Sequence, residues 1–146
     1  MQASPLVVPG QVYRCDHYYQ DGAGWHAKYL LVLAADADNV VYRLLTSRPH
    51  ARPETPPCYH GDPYPGFYLG LIGASLTAKS WLDLRRQDDY DARTFAQHIA
   101  TGTLALVIAV PTTQICAALA CTANAEDTTC QQARQMLDTR WRLGCA

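Results

Sequence analysis

Apolar positions along the chain gather into short runs separated by polar residues, glycines or prolines. Tyr29 to Ala35 (YLLVLAA) is one such run, and Val40 to Leu45 (VVYRLL) is another, broken only by Arg43. Apolar runs flanking an Asp/Asn-rich turn predict a β-hairpin, spanning His26 to Arg48. With residues 35–39 as the loop, Ala34 pairs with Val40, Lys28 faces Thr46 and His26 faces Arg48. Directly opposed residues in an antiparallel pair have Cβ atoms about 5 Å apart. The open end of the hairpin therefore gathers an imidazole, an ammonium, a hydroxyl and a guanidinium. A slip of one residue sets Ser47 opposite Lys28 and leaves a similar cluster.

The same patterning places further elements. Gln11 to Tyr19 reads as the first strand, with Tyr13, Cys15, His17 and Tyr19 on one face. Phe67 to Ile72 and Leu76 to Arg85 are strand candidates, and Gln87 to Asp91 is an acidic turn. Asp91 caps a short helix over Ala92 to Ala100 that Gly102 closes. Thr103 to Val110 is read as a strand because Val and Ile are present and Pro111 follows. One helix then runs to about Ala123. A second starts near Glu126 and Asp127 and ends at about Leu143, before Gly144. Its Cys130, Ala133, Leu137 and Trp141 form an apolar stripe, read as core or dimer contact. The expected fold is α+β: one domain over 1–146, with a small antiparallel β-barrel at about 9–110 and a helical region at about 111–146.

Residues 49–66 hold six of the nine prolines and form a long loop. A net charge of −1 and only 17% charged residues exclude a strongly basic overall footprint. The longest apolar stretch, Leu104 to Val110, is far short of the ~20 residues that a membrane span needs. The first ten residues lack the basic start and apolar length of a signal peptide. A cytoplasmic protein is expected, with its six cysteines as free thiols.

Two Cys-x-His pairs, Cys15/His17 and Cys58/His60, could together supply the Cys2His2 set that tetrahedral zinc accepts. Their spacing matches no finger pattern, and no metal or other cofactor is expected. Gly70 and Gly73 lack the Lys-Ser/Thr of a phosphate loop. The polar hairpin end has a plain explanation too, because strand ends at a barrel rim meet solvent.

Residues 10–48 resemble the N-terminal half of the PemK/MazF-like (Kid-like) toxin family of toxin–antitoxin systems. Gly10-Gln11-Val12-Tyr13 matches the opening strand, and Gly24 to Leu33 matches a loop leading to a basic residue, Lys28, on an apolar strand. Leu45-Thr46-Ser47 matches the third strand's end, and Lys79 to Asp83 a later strand. The resemblance implies an SH3-like barrel with a C-terminal helix, usually a homodimer. It also implies a metal-independent endoribonuclease (mRNA interferase) acting on single-stranded RNA, and a cognate antitoxin. In that family the basic residue and the threonine hold the scissile phosphate. Carried over, these are Lys28 and Thr46, with Ser47 beside them. His26 is the acid/base candidate and Arg48 a second charge stabiliser. Tyr59, Tyr64 and Tyr68 are candidates for stacking on bases. The alternative is a catalytically inactive module of the same fold that binds protein or nucleic acid.

Overall fold

A computed structural model describes residues 7–73 and 76–145. The chain runs β1 (Gln11–Asp21), β2 (Gly24–Ala35), β3 (Asn39–Thr46), β4 (Cys58–Tyr59), β5 (Gly66–Gly70) and β6 (Ser80–Asp83). Then follow β7 (Tyr90–Asp91), α1 (Ala92–Ala100), β8 (Ala105–Ala109), α2 (Thr112–Ala123) and α3 (Cys130–Leu143). The strands form one antiparallel sheet in the order β4-β5-β6-β3-β2-β1-β8, and β7 pairs β3 beside this path. The fold is therefore α+β, with its helices mostly C-terminal. The sheet is not closed, which corrects the barrel expectation. The edge strand β4 has only two residues, in the proline-rich segment where missing N–H groups limit pairing.

The unbroken apolar run in β2 belongs to a strand covered on both faces. Leu31 and Leu33 join Val41, Leu45, Leu82, Ile115, Leu119 and Met136 under α2 and α3. Leu30 and Val32 join Tyr13, Tyr42, Phe95 and Leu104 under α1. Asp91 caps α1 by accepting from the Thr94 amide at 2.9 Å, and Thr129 caps α3 by accepting from the Gln132 amide at 3.1 Å. The last helix consequently begins at Cys130, not near Glu126.

Arg43, the polar break in the second apolar run, is fully buried on the α2/α3 side. Its guanidinium donates to the Tyr42 carbonyl at 2.8 Å and to Gln132 Oε1 on α3 at 2.7 Å. Burial lowers its pKa to about 10, opposed by the charges of Asp127 and Asp89. This cation explains α3's orientation. The buried face carries Gln132, Met136 and Thr139, so the apolar stripe is not core: Leu137 and Trp141 are exposed.

The free-thiol expectation is also corrected. Cys58 on β4 is bonded to Cys121 on α2, and Cys116 on α2 to Cys145 beyond α3. Only Cys15 and Cys130 are free. The fold brings together cysteines 63 and 29 residues apart, which sequence spacing could not pair. Two disulfides are more typical of extracellular proteins than of cytoplasmic ones. Among the described residues no helix is long and apolar enough to cross a membrane. The signal-peptide reading rests largely on residues 1–6, outside the described residues.

Candidate functional site

The hairpin register decides what meets at its open end. Tyr29 pairs with Leu45, Leu30 with Leu44 and Leu31 with Arg43. The β2–β3 pairing ends at Tyr29 and Leu45: Lys28 pairs with Cys15 of β1 and Thr46 with Trp81 of β6, so the expected Lys28/Thr46 and His26/Arg48 pairs lie beyond the hydrogen-bonded ladder. A register shift between Val32 and Ala34 then moves the turn, so Ala35, not Ala34, pairs with Val40. The expected register therefore holds from Tyr29 to Val32 and fails at the loop.

His26, Lys28, Thr46, Ser47, Arg48 and Tyr64 all line one cavity of about 770 Å³. Tyr59 and Tyr68 do not line it; Tyr68 packs on Trp81 at a centroid distance of 5.1 Å. His26 pairs across the β1–β2 ladder with Tyr19 and stacks on its ring at 4.6 Å. The Lys28 ammonium lies 5.7 Å from the same ring. His26 Nε2 is 2.8 Å from Oδ1 of Asp21, the last residue of β1. That contact, with the Ala23 amide, holds the Asp21 carboxyl below the ordinary range. An imidazole oriented by a carboxylate is suited to proton transfer. Thr46 Oγ1 accepts from the Arg48 amide at 3.1 Å, which leaves its O–H to donate elsewhere.

Apart from Tyr64, the far wall comes from residues that sequence reading did not select. His50 and Ala51 have left-handed backbone, with φ of 46° and 66°, and the Arg52 amide closes this turn onto the Pro49 carbonyl at 2.7 Å. The turn drives Arg52 inward, where it donates to the carbonyls of Arg48 at 3.0 Å and Pro65 at 3.2 Å. Gly66 is required beneath it, since a Cβ there would lie 2.4 Å from Arg52 Cδ. Asp83 takes Arg85 Nη2 at 2.6 Å and stands 3.6 Å from Arg52 Nη2, which has no hydrogen-bond acceptor among the described residues. Burial lowers the Arg52 pKa against the pull of Asp83, whereas the hydrogen bond to Asp83 raises that of Arg85. Tyr64 packs near both, its ring 5.4 Å from the Arg52 guanidinium and 5.2 Å from that of Arg85, with His50 stacked at 4.4 Å.

The cavity thus holds four cationic side chains, Lys28, Arg48, Arg52 and Arg85, against the single carboxylate of Asp83. A surplus of three positive charges in a chain of net charge −1 is a concentrated anion-attracting field. Hydroxyls, two imidazoles and tyrosine faces share the space, a mixture suited to a phosphate ester carrying aromatic bases.

The two Cys-x-His pairs do not assemble into one site. Cys15 is buried, while His17 is exposed and packs edge-on against Trp25. Instead Cys121 joins Cys58 and His60. Comparison with protein-family models, curated proteins and solved structures finds no match to the chain.

Proposed function

We propose that the chain is a PemK/MazF-like endoribonuclease, built on an unclosed sheet, that cleaves single-stranded RNA by metal-independent transesterification. The observation that carries this reading is the meeting of His26, Lys28, Thr46 and Arg48 in one positively charged cavity. The ribose 2′-OH attacks the adjacent phosphorus, the P–O5′ bond breaks, and a 2′,3′-cyclic phosphate and a 5′-OH result. One group takes the 2′ proton and another gives a proton to O5′. His26, oriented by Asp21, and His50 are the two imidazoles available for these transfers. Lys28 and Arg48 stabilise the charge on the phosphorane-like state, and Thr46 and Ser47 orient its oxygens. Tyr19 and Tyr64 offer ring faces for the flanking bases.

A second reading, a module that binds RNA without cutting it, draws on one departure. The resembling family has Arg-Pro where this chain has Lys28-Tyr29. An ammonium beside Tyr19 lacks the bidentate grip of a guanidinium. Incubation with single-stranded RNA in EDTA, followed by analysis of fragment ends, separates the two. Cyclic phosphate ends support the enzyme. RNA that stays intact at high protein excess, yet shifts the anisotropy of a labelled strand, supports the module. The exposed Leu137 and Trp141 on α3 support a homodimer contact on this helix, and an antitoxin partner follows from the family resemblance alone.

A further inference from the structure

We propose that Cys58, His60 and Cys121 form a zinc site when the Cys58–Cys121 disulfide is reduced. The three ligand atoms lie within 4.8 Å of one another. His60 Nε2 is 3.4 Å from Cys58 Sγ and 3.5 Å from Cys121 Sγ. Tetrahedral zinc with Zn–S near 2.3 Å and Zn–N near 2.05 Å sets its sulfur and nitrogen ligands about 3.5 Å apart. The imidazole therefore already stands where a ligand must stand, and only the sulfurs have to part. Two thiolates and an imidazole favour zinc over magnesium or calcium, which take oxygen ligands.

Local structure explains the arrangement. Cys58 and His60 flank Tyr59 at the end of β4 and reach the same helix. Cys121, buried on α2, presents both its sulfur and its carbonyl oxygen to His60, whose Nε2 donates to that oxygen at 3.0 Å. Among the described residues the group has three members. Because His60 is exposed, water fills the fourth position.

The chemistry balances as follows. A dithiol reductant opens the disulfide by exchange: the S–S bond gains two electrons and two protons, and the reductant's thiols close into its own disulfide. Zinc then binds Cys58 and Cys121 as thiolates and releases their two protons. His60 gives up its hydrogen bond to the Cys121 carbonyl, carries its proton on Nδ1, and offers the Nε2 lone pair. Either link, disulfide or zinc, ties β4 to α2. The proline-rich segment that brings Arg52 and Tyr64 to the cavity is therefore held in reducing and oxidising surroundings alike.

The test uses the full chain, reduced and stripped with a chelator, and titrated with Co²⁺ and then Zn²⁺. One equivalent of Co²⁺ should bind with the visible bands of a tetrahedral ion and a thiolate charge-transfer band, and Zn²⁺ should displace it. His60→Ala keeps both cysteines and folds in its oxidised form. Its reduced form should bind Zn²⁺ about 100-fold more weakly or worse, since even the loss of a ligand's outer-shell partner costs 10–100-fold. The Cys116→Ser/Cys145→Ser variant should bind as the parent does. If reduction unfolds the metal-free chain, Zn²⁺ should restore its circular dichroism. No uptake, no restoration, or parent-like binding by His60→Ala overturns the proposal.

Discussion

Replacing Asp83 with asparagine tests whether one carboxylate organises the far wall of the cavity. Asp83 is almost fully buried, and so is its partner Arg52, whose side chain is 1% exposed. At 3.6 Å and an effective dielectric near 20, their attraction is about 4–5 kcal/mol. The amide keeps one acceptor oxygen, and Arg52 keeps its bonds to the carbonyls of Arg48 and Pro65, so part of that is recovered. Arg85 is half exposed and rehydrates, so its share is at most about 1 kcal/mol. The expected loss is about 2–3 kcal/mol, short of the 3–5 kcal/mol for stranding a fully buried charge. Urea denaturation of the oxidised protein at neutral pH should show it as a lower midpoint at unchanged slope. The same change leaves the cavity with four uncompensated cations, so labelled single-stranded RNA should bind more tightly. The logarithmic salt dependence should steepen by about 0.7 for each guanidinium that gains a phosphate. A loss below about 0.5 kcal/mol would refute the reasoning about the wall.

Within the proposed function, Lys28→Ala should slow cleavage by about 10²-fold or more, because it removes charge stabilisation at the transition state. Thr46→Val keeps a β-branched shape and should impair cleavage with little change in urea midpoint. Lys28→Arg should retain or raise the rate, and an unchanged rate in Lys28→Ala would refute the site. Acid should destabilise the fold through Asp36, whose carboxyl is held low first by the Asn39 amide and also by the Asp38 amide and Gln135. A depressed folded pKa contributes stability above the unfolded value near 3.9 and loses it as pH falls through the folded one. Stability measured below about pH 4 should therefore fall more gently in Asp36→Asn than in the parent. Trp141→Glu on the exposed face of α3 should give a monomer by light scattering where the parent gives a dimer, with a parent-like circular dichroism spectrum.

Local signals carried through wherever the determining contacts are local. The helix at 92–100 lies where Asp91 and Gly102 bracket it, because a cap and a left-handed stop act within a few residues. Register along Tyr29 to Val32 also followed from alternation, but the shift near Leu33 consumed an extra residue and defeated loop counting at the turn. β7 was read as an acidic turn because two residues carry no periodicity, and only their pairing with Asn39 and Val40 makes them a strand. Closure of the sheet depends on contact between its two edges, which no local pattern encodes.

The site divides along the same line. Its near wall lies on one hairpin and the residues just after it, so a local reading reached His26, Lys28, Thr46 and Arg48. Its far wall needs a turn of left-handed backbone at His50 and Ala51, a glycine at 66 to admit Arg52, and a carboxylate from β6. Those three features are spread over about thirty residues of sequence and make sense only together. The α3 stripe failed for a related reason. A buried cation at Arg43 requires a polar partner, Gln132 supplies it, and the helix turns Leu137 and Trp141 outward. Buried polar demand, more than apolar periodicity, thus sets both the orientation of the last helix and the depth of the cavity.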